Sequence, residues 1–418
     1  MGTARSRTIE QTFQIRYSYP VAFTRHLFDP ANGTLRDIVT RDGATRRRKA
    51  LVIIDRGVVA AYPELPGRVM ACLAANADVL EAVGTPMLVD GGEQVKNDTA
   101  ALDAIQRQID RGGIDRHSYV IAIGGGAVLD MVGFAAATAH RGIRLIRVPT
   151  TVLSQNDSGV GVKNSVNAFG KKNFLGTFAP PFAVINDAAL VERLPDREWR
   201  AGIAEAVKVA LLKDPAFFAF IEEHADALVA RDADAMEHLI FRCAELHLRH
   251  IATSGDPFEF GSSRPLDFGH WAAHKLEQIS NYAWRHGEAV AIGIALDSTY
   301  ARLQGLLPEA DWRRILDVFH AVRLPIFAPE LVDSLREAGT PRSILAGLEE
   351  FREHLGGELT IMLLRGIGVP HEVHTMDESV IIRSMRVLEA EHAARTSKEA
   401  SHGEHVRPQQ PPVAAAVD

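Results

Sequence analysis

Two histidines, His270 and His274, stand four residues apart in the segment 260–277, FGSSRPLDFGHWAAHKLE, and a carboxylate, Asp267, precedes them. On a helix this spacing places both imidazoles on one face. Spacing alone therefore favours the pair as metal ligands, as in zinc-binding helices with histidines four apart. Phosphate binding and an ordinary structural role are the alternatives, because the chain has 17 histidines and a single histidine is more often structural than a ligand.

A second stretch, GIAEAVKVALL (202–212), carries only two charges, Glu205 and Lys208, in an apolar helical pattern. A surface ion pair at this spacing is the plain interpretation, and it would contribute a few tenths of a kcal/mol. A dry pair costs more than it returns unless another group engages it, and a metal on Glu205 and an anion on Lys208 would do so. With His270 and His286, Glu205 would give two nitrogens and one oxygen and leave a coordination position open.

Three predicted strands end in glycine-rich or polar segments, DGGEQVKN (90–97), IAIGGGAVLD (121–130) and VPTTVLSQND (148–157). Glycines let the backbone approach a diphosphate, and the free N–H groups of a helix N-terminus attract its charge. A single glycine run is also typical of a tight turn, and none of the three matches G-x-G-x-x-G. Together they predict a nucleotide crevice, since such crevices form at the carboxyl ends of parallel strands.

The segment 156–176, NDSGVGVKNSVNAFGKKNFLG, is rich in glycine and lysine and follows a predicted strand. Lys163, Lys172 and Asn173 would hold a phosphate as point charges and hydrogen-bond donors. A basic loop exposed to solvent is the alternative interpretation.

The elements that must position these residues divide the chain in two. At 418 residues the chain exceeds the size that one core usually serves. In residues 1–195 short apolar strands alternate with helical stretches, which predicts a parallel sheet with helices on its faces. Residues 196–394 carry mainly helical spacing, which predicts a second, helical domain. Residues 395–418 lack a core-forming pattern, which predicts a disordered tail.

Composition excludes several classes of partner. The net charge of −7 gives no basic field for nucleic acid or an anionic membrane. The N-terminus has no apolar signal region, and no apolar run reaches the length of a membrane span. Two cysteines, Cys72 and Cys243, make no disulfide framework, so we expect a cytoplasmic protein.

The motifs, in order and spacing, resemble the sugar phosphate cyclases, the superfamily of 3-dehydroquinate synthase. The similarity covers roughly residues 50–370 and rests on GGEQVKN, GGGAVLD, RGIRLIRVPTT, DSGVGVK with KKN, AGIAEAVK, FGHWAAH and HGEAVAIG. The resemblance implies an N-terminal Rossmann-like, parallel-sheet NAD domain followed by a mainly α-helical metal-binding domain. It also implies a homodimer in which Arg141 reaches the phosphate in the neighbouring subunit's site.

Carried over position by position, the resemblance implies three groups of site residues. The NAD site would comprise Asp55, Glu93, Lys96, Gly125, Gly126, Ala127, Asp130, Thr150, Thr151, Lys163 and Lys172. Zinc, or cobalt, would be held by Glu205, His270 and His286. The substrate would contact Asp157, Lys163, Asn173, Lys208, Glu259, Asp267 and His274, so the two histidines of the opening segment would have different roles.

The family chemistry explains why these groups occur together. NAD takes a hydride from a ring carbinol, the new ketone acidifies the adjacent C–H bond, and phosphate leaves by elimination. The hydride then returns, the ring opens, and an intramolecular aldol reaction closes a carbocycle. The protein orients the substrate, supplies cations and excludes water.

Departures from the dehydroquinate-forming members concern the residues expected to clamp the substrate's carboxylate. Asp267 stands in place of an Asn, Ser263 in place of an Arg (with Arg264 one step later), and Arg249 in place of a Lys, while Arg352 is the nearest candidate for a Lys-Lys pair. An acid in that position disfavours an anion and accepts hydrogen bonds from a hydroxymethyl group. This favours a sugar phosphate without the acid, sedoheptulose 7-phosphate.

His274 together with Asp267 resembles the 2-epi-valiolone synthase branch, since the 2-epi-5-epi-valiolone and gadusol-precursor branches tend to have Pro where His274 stands. A 3-dehydroquinate synthase is the alternative, with Arg264 or Arg249 binding the carboxylate. An NAD- and metal-dependent polyol dehydrogenase and a non-catalytic NAD-binding protein are two further hypotheses.

Overall fold

The computed structural model describes residues 8–43, 46–259 and 265–403. Its strands are β1 (Val21–Thr24), β2 (Arg48–Asp55), β3 (Leu80–Ala82), β4 (Met87–Val89), β5 (Tyr119–Gly124), β6 (Arg144–Pro149), β7 (Lys163–Ala168), β8 (Lys171–Phe178), β9 (Ala183–Asp187), β10 (Ile361–Gly366) and β11 (Val369–Val373). Seven of them form one parallel sheet in the order β1-β9-β6-β5-β2-β3, with β4 beside the end of β2. The predicted parallel sheet is confirmed.

The helices are α1 (Thr34–Thr40), α2 (Arg56–Ala61), α3 (Leu65–Ala75), α4 (Thr99–Arg111), α5 (Gly126–Thr138), α6 (Asp196–Lys213), α7 (Pro215–Glu223), α8 (Ala225–Val229), α9 (Ala233–Thr253), α10 (His270–Ile279), α11 (His286–Leu303), α12 (Glu309–Ala321), α13 (Glu330–Asp333), α14 (Ala346–His354) and α15 (Glu378–Gly403). From α6 onward helices dominate, as the sequence predicted. The described strands in this part are β10 and β11, an antiparallel pair.

Both faces of the sheet are covered, which explains why its strands are apolar throughout. In β2, Val52 and Ile54 pack into one apolar cluster, whereas Leu51 and Ile53 pack into a second cluster on the opposite face. Side chains alternate between the faces of a strand, so a strand buried on both sides cannot show a polar and apolar alternation. Helix α5 belongs to the second cluster and begins directly after β5.

The helical half has its own large apolar core, in which α6 and α11 are central. Residues 201–212 of α6 and 289–301 of α11 are buried, with no exposed face. A helix that is apolar all around must be surrounded by others, so any charge on it needs a partner inside the core.

Two segments differ from simple expectation. The glycine- and lysine-rich segment forms the antiparallel hairpin β7–β8 and not a loop. The predicted disordered tail is wrong for residues 395–403, because α15 continues to Gly403 and Arg395 forms an ion pair of 2.7 Å with Asp317. Residues 404–418 lie outside the described part of the chain. Among the described helices, none combines the length and apolarity that crossing a membrane requires.

Candidate active site

A cleft of about 1190 Å³ runs between the carboxyl edge of the sheet and the helical half. All the residues predicted for the NAD and substrate sites line it, with the exception of Arg141. They come from the end of β2, the segments that follow β4 and β6, the start of α5, the hairpin β7–β8, helices α6 and α10, and the segment between α9 and α10. The parallel sheet explains the convergence, because its strand ends meet at one edge.

Asp55 ends β2 at the sheet edge and caps α2 by accepting a hydrogen bond of 2.7 Å from the N–H of Gly57. Burial raises the pKa of its carboxyl group. Gly91 allows this arrangement, because a Cβ there would lie 2.4 Å from Oδ2 of Asp55. A carboxylate at this edge of a nucleotide crevice is suited to accept hydrogen bonds from ribose hydroxyls.

The N-terminus of α5 is an open cradle beside Asp55. Gly125 is its N-cap and makes no side-chain capping hydrogen bond, so the first N–H groups of the helix remain available for an anion. A Cβ on Gly126 would lie 2.6 Å from Oγ of Ser158 and would fill the cradle. This geometry suits a diphosphate.

A buried lysine that follows β4, Lys96, meets the hairpin β7–β8 at the cleft. The ammonium of Lys96, which is 4% exposed, lies 2.9 Å from Oδ2 of Asp130 and also contacts the side chain of Asn173. Farther along, Lys163 lies 2.7 Å from Oε2 of Glu259, a residue of the helical half. The hairpin therefore connects the two halves on one side of the cleft.

The metal-type side chains Glu205, His270 and His286 converge from three helices. One ligand atom from each lies within 4.8 Å of the other two. Oε1 of Glu205 is 3.2 Å from Nε2 of His286 and 3.6 Å from Nε2 of His270.

Two glycines let the three helices approach each other. A Cβ on Gly287, next to His286, would lie 1.9 Å from the carbonyl oxygen of Ala201 in α6. A Cβ on Gly293 would lie 2.0 Å from the carbonyl oxygen of Gly269, which directly precedes His270. Any larger residue at either position would push the helices that carry the ligands apart.

Hydrogen bonds orient both histidines. Nδ1 of His270 lies 3.1 Å from the carbonyl oxygen of Phe268, and Nδ1 of His286 lies 3.2 Å from Oε2 of Glu277. Each Nδ1 therefore donates to an oxygen, and Nε2 is the ring nitrogen that faces Glu205. A second ring nitrogen bound in this way is typical of histidine ligands of metals.

The buried carboxylate of Glu205 is the main reason that this site suits a divalent cation. Its side chain is fully buried, yet neither carboxylate oxygen has a hydrogen bond of good geometry among the described residues. Its nearest cation is the ammonium of Lys208, 2.5 Å from Oε2. The carboxylates of Glu277 and Glu205 outweigh burial and raise the pKa of His286 to about 9. The potential there favours positive charge, which a divalent cation would supply.

Lys208 stays charged in this environment. Burial lowers the pKa of its ammonium, but the carboxylates of Glu205 and Asp157 outweigh that effect and raise it. Asp267 raises it further, which places the acid that replaces the family's Asn near this lysine. Burial raises the pKa of Asp157, but Lys208 and His247 lower it by more.

His274 lies in the same cleft as a neutral ring. Burial, followed by the charges of Lys172 and His270, holds the pKa of His274 well below its usual value. In a second metal-type set, comprising His274, Glu277 and His286, one ligand atom from each residue also lies within 4.8 Å of the other two. Both oxygens of Glu277 already accept hydrogen bonds from Lys172, at 3.0 and 2.9 Å, whereas Oε1 of Glu205 accepts none of good geometry from the residues that the structure describes. The Glu205 set is therefore the better cation site.

Sequence reasoning missed two residues of the site. His247 lines the cleft from α9, and its Nδ1 lies 2.7 Å from Oδ1 of Asp157. Glu277 follows His270 by seven residues and His274 by three, so helical periodicity was a signal that could have identified it. No comparable signal existed for His247, because α9 and the turn after β6 are distant in sequence.

The residues considered for a substrate carboxylate lie mostly elsewhere. Arg249 and Arg352 do not line the cleft, and they form ion pairs with Glu245 and Glu349 on their own helices. Ser263 and Arg264 lie outside the described residues. Arg141 is exposed in the turn after α5, away from this chain's cleft.

Comparison with known proteins agrees with this architecture. Residues 86–201 match the family pattern "3-dehydroquinate synthase N-terminal", and residues 202–339 match "3-dehydroquinate synthase C-terminal". The chain is 33% identical over 365 residues to the 3-dehydroquinate synthase of Shewanella sp. (strain MR-4), which covers 87% of this chain and 95% of that protein. It is 34% identical over 360 residues to the 2-epi-5-epi-valiolone synthase of Streptomyces glaucescens, which covers 86% of this chain and 88% of that protein.

One solved structure is similar over almost the entire chain. It is 2-epi-5-epi-valiolone synthase from Streptomyces hygroscopicus subsp. jinggangensis 5008, with NAD⁺ and Zn²⁺ bound. The TM-score is 0.80 at 30% sequence identity, and the match covers 92% of this chain and 100% of that chain.

Proposed function

Since the chain belongs to the 3-dehydroquinate synthase family of sugar phosphate cyclases, we propose that it converts sedoheptulose 7-phosphate to a C7 cyclitol of the 2-epi-valiolone type, with release of phosphate. The proposed cofactors are NAD and Zn²⁺, with Co²⁺ as a substitute. The similar solved structure, which carries NAD⁺ and Zn²⁺, supports this cofactor assignment. So do the open cradle at α5 and the buried Oε1 of Glu205, which faces Nε2 of both His270 and His286.

In this proposal, separate groups of residues bind the nucleotide and the metal. Asp55, Gly125 and Gly126 would hold the nucleotide, together with Glu93, Lys96, Ala127, Asp130, Thr150, Thr151, Lys163 and Lys172. Glu205, His270 and His286 would hold zinc. When bound, NAD would accept a hydride and return it, and zinc would supply a Lewis acid at the same ring carbon.

The chain's own groups would orient the substrate. Lys208 keeps its proton because two carboxylates raise its pKa, so it would donate hydrogen bonds to ring hydroxyls and would not act as a base. Neutral His274 would donate or accept a hydrogen bond without changing the charge of the site. Asp157, Lys163, Asn173 and Glu259 would contact the remaining hydroxyls and the phosphate. The cleft would exclude water from the eliminating intermediate.

The substrate assignment rests on the negative charge that Asp267 brings to one wall of the cleft, called the Asp267 wall. This acid lines the cleft and is close enough to Lys208 to raise its pKa. Among the described residues, the arginines considered for carboxylate binding, Arg249 and Arg352, do not line the cleft. A substrate carboxylate would meet repulsion without a bidentate donor, whereas a hydroxymethyl group would donate to Asp267.

The second candidate function is 3-dehydroquinate synthase, which acts on the carboxylated heptulosonate 7-phosphate. It is supported by the 33% identity to a protein of that name. In that case Arg264, which lies outside the described residues, would have to supply the bidentate donor for the carboxylate.

We propose the enzyme to be a cytoplasmic homodimer in which Arg141 of each subunit reaches the phosphate in its neighbour's site. The exposed position of Arg141, outside its own cleft, supports this arrangement. Mixing an Arg141→Ala variant with an inactive Lys208→Met variant tests it. Shared sites predict that subunit exchange regains part of the activity.

The decisive experiment offers the purified protein NAD⁺ and zinc with each heptose phosphate separately. We expect phosphate release from sedoheptulose 7-phosphate, no net NADH, and a cyclitol identified by NMR. Phosphate release from the carboxylated substrate alone would establish the second candidate. Stoichiometric NADH without phosphate release would indicate a polyol dehydrogenase and would overturn both.

A further inference from the structure

Glu277 is a buried carboxylate to which neither the nucleotide site nor the Glu205 metal set assigns a role. It lies on α10 and is 2% exposed. Its Oε2 lies 3.2 Å from Nδ1 of His286. Both of its oxygens accept hydrogen bonds from the ammonium of Lys172, at 3.0 Å for Oε1 and 2.9 Å for Oε2. A carboxylate that accepts hydrogen bonds from an ammonium and from a ring N–H has the partners that burial of its charge requires.

Lys172 brings this contact from the other half of the chain. It lies on β8, its side chain is 10% exposed, and its ammonium is also 3.8 Å from Oε1 of Glu93. Burial lowers the pKa of Lys172, but Glu277 and Glu93 raise it by more, so the lysine stays charged. A line of alternating charges therefore runs from the sheet edge to His286.

We propose that Glu277 is a positioning residue of the metal centre, held in place by Lys172. Glu277 accepts the Nδ1–H of His286, which fixes the ring so that Nε2 faces Glu205. Lys172 fixes Glu277 from the hairpin, so the docking of the hairpin and the geometry of the metal ligands depend on each other. This inference rests on the zinc site of the proposed function, but it concerns metal affinity and does not depend on which sugar phosphate is used.

The physical reason is that a histidine ligand binds a metal more weakly when its ring is not held in one orientation. Outer carboxylates that bind a ligating histidine fix its tautomer and increase its basicity, and their loss typically weakens metal binding 10- to 100-fold. The effect of Lys172 follows indirectly. Without the ammonium of Lys172, the buried carboxylate of Glu277 has one hydrogen-bond partner fewer, so it moves away from His286 toward solvent.

The test is zinc affinity, measured by competition with a chromogenic chelator in the absence of substrate. Glu277→Gln keeps the shape of the side chain, and we expect it to bind zinc about 10- to 100-fold more weakly than the wild type. Lys172→Met should also bind zinc more weakly, by a smaller factor. The matched control is Glu353→Gln. Glu353 forms an exposed ion pair of 2.7 Å with Lys171, which directly precedes Lys172 in the same hairpin. Its zinc affinity should equal that of the wild type.

Several results would overturn the inference. One is a folded Glu277→Gln variant with wild-type zinc affinity, and unchanged affinity in Lys172→Met would remove the coupling to the hairpin. If Glu277→Gln fails to fold, Lys172→Met carries the test. If Glu205→Gln keeps its zinc while Glu277→Gln loses it, the metal binds the set of His274, Glu277 and His286, and Glu277 is a ligand. A wild type that binds zinc but turns over no heptose phosphate would refute the proposed function alone.

Discussion

The pair Glu205–Lys208 allows a prediction in which the apo protein and the zinc-loaded protein respond differently. Glu205→Gln removes one charge from a pair that is 0% and 3% exposed, with 2.5 Å between Oε2 and Nζ. At an effective dielectric constant of about 20, Coulomb's law gives about 7 kcal/mol for unit charges at that distance. Relief of the desolvation of Glu205, and the remaining attraction of Asp157, reduce the loss. We expect the free energy of unfolding to fall by about 3–5 kcal/mol.

Urea unfolding, followed by circular dichroism in EDTA, measures this loss without metal. The matched control is Glu222→Gln, because Glu222 on α7 pairs with Arg314 at the surface, with side chains 25% and 46% exposed. Its cost should stay within about 1 kcal/mol.

Repeating the measurement with zinc separates the two roles of Glu205. Zinc at 100 times its dissociation constant should stabilise the wild type by about 2.7 kcal/mol, whereas the Glu205→Gln variant should gain almost nothing. The gap between the two proteins should therefore widen. Equal stability in EDTA would refute the buried pair, and equal stabilisation by zinc would refute Glu205 as a ligand.

Three further predictions concern the Asp267 wall, the contact of His247 with Asp157, and stability at acid pH. Asp267→Asn should raise kcat/KM for the carboxylated heptulosonate relative to sedoheptulose 7-phosphate by about tenfold, the equivalent of about 1.4 kcal/mol; an unchanged ratio in paired assays would contradict the proposed wall. His247→Gln should lower kcat by about tenfold, whereas His247→Asn, which keeps a donor near Nδ1 for Asp157, should retain most activity; equal kcat values in the two variants would exclude this role. Hydrogen bonding to Arg48 is the main reason that the pKa of Asp42 is lowered to about 2, from 3.8. Its contribution to stability is present above pH 4 and is lost as the pH falls toward 2, so Asp42→Asn should unfold with a shallower pH dependence in that window, as measured by acid titration.

Local patterns in the sequence were sufficient to predict the parallel sheet and the crevice at the carboxyl ends of its strands. Runs such as residues 50–55 and 118–124 are apolar throughout because the sheet is buried on both faces, and this pattern is visible in the linear sequence. The glycines after these strands indicated a crevice, because backbone freedom and helix N-termini are local properties. Glu205 and Lys208 stood out because charges are rare on a helix that is apolar all around.

Local patterns failed where the residues depend on distant partners. The spacing of His270 and His274 favoured them as a metal pair, yet the atoms that meet Glu205 most closely belong to His270 and His286, from two different helices. The tail prediction failed for residues 395–403 because the stability of a helix end depends on contacts such as that of Arg395 with Asp317. The hairpin β7–β8 resembled a loop, since its cationic side chains find their partners on other elements.

By itself, the sequence determined the α/β architecture and indicated the strand-end crevice, and the resemblance to the family supplied the site residues that line it. Only the tertiary structure decided that Glu277 bridges Lys172 and His286, that His247 meets Asp157, and that Arg249 does not line the cleft. The physical reason is one of range. Backbone preferences and apolar periodicity act between near neighbours in the chain, whereas the partner of a buried charge is chosen by how whole helices pack. Here close contacts at Gly287 and Gly293 decide that packing.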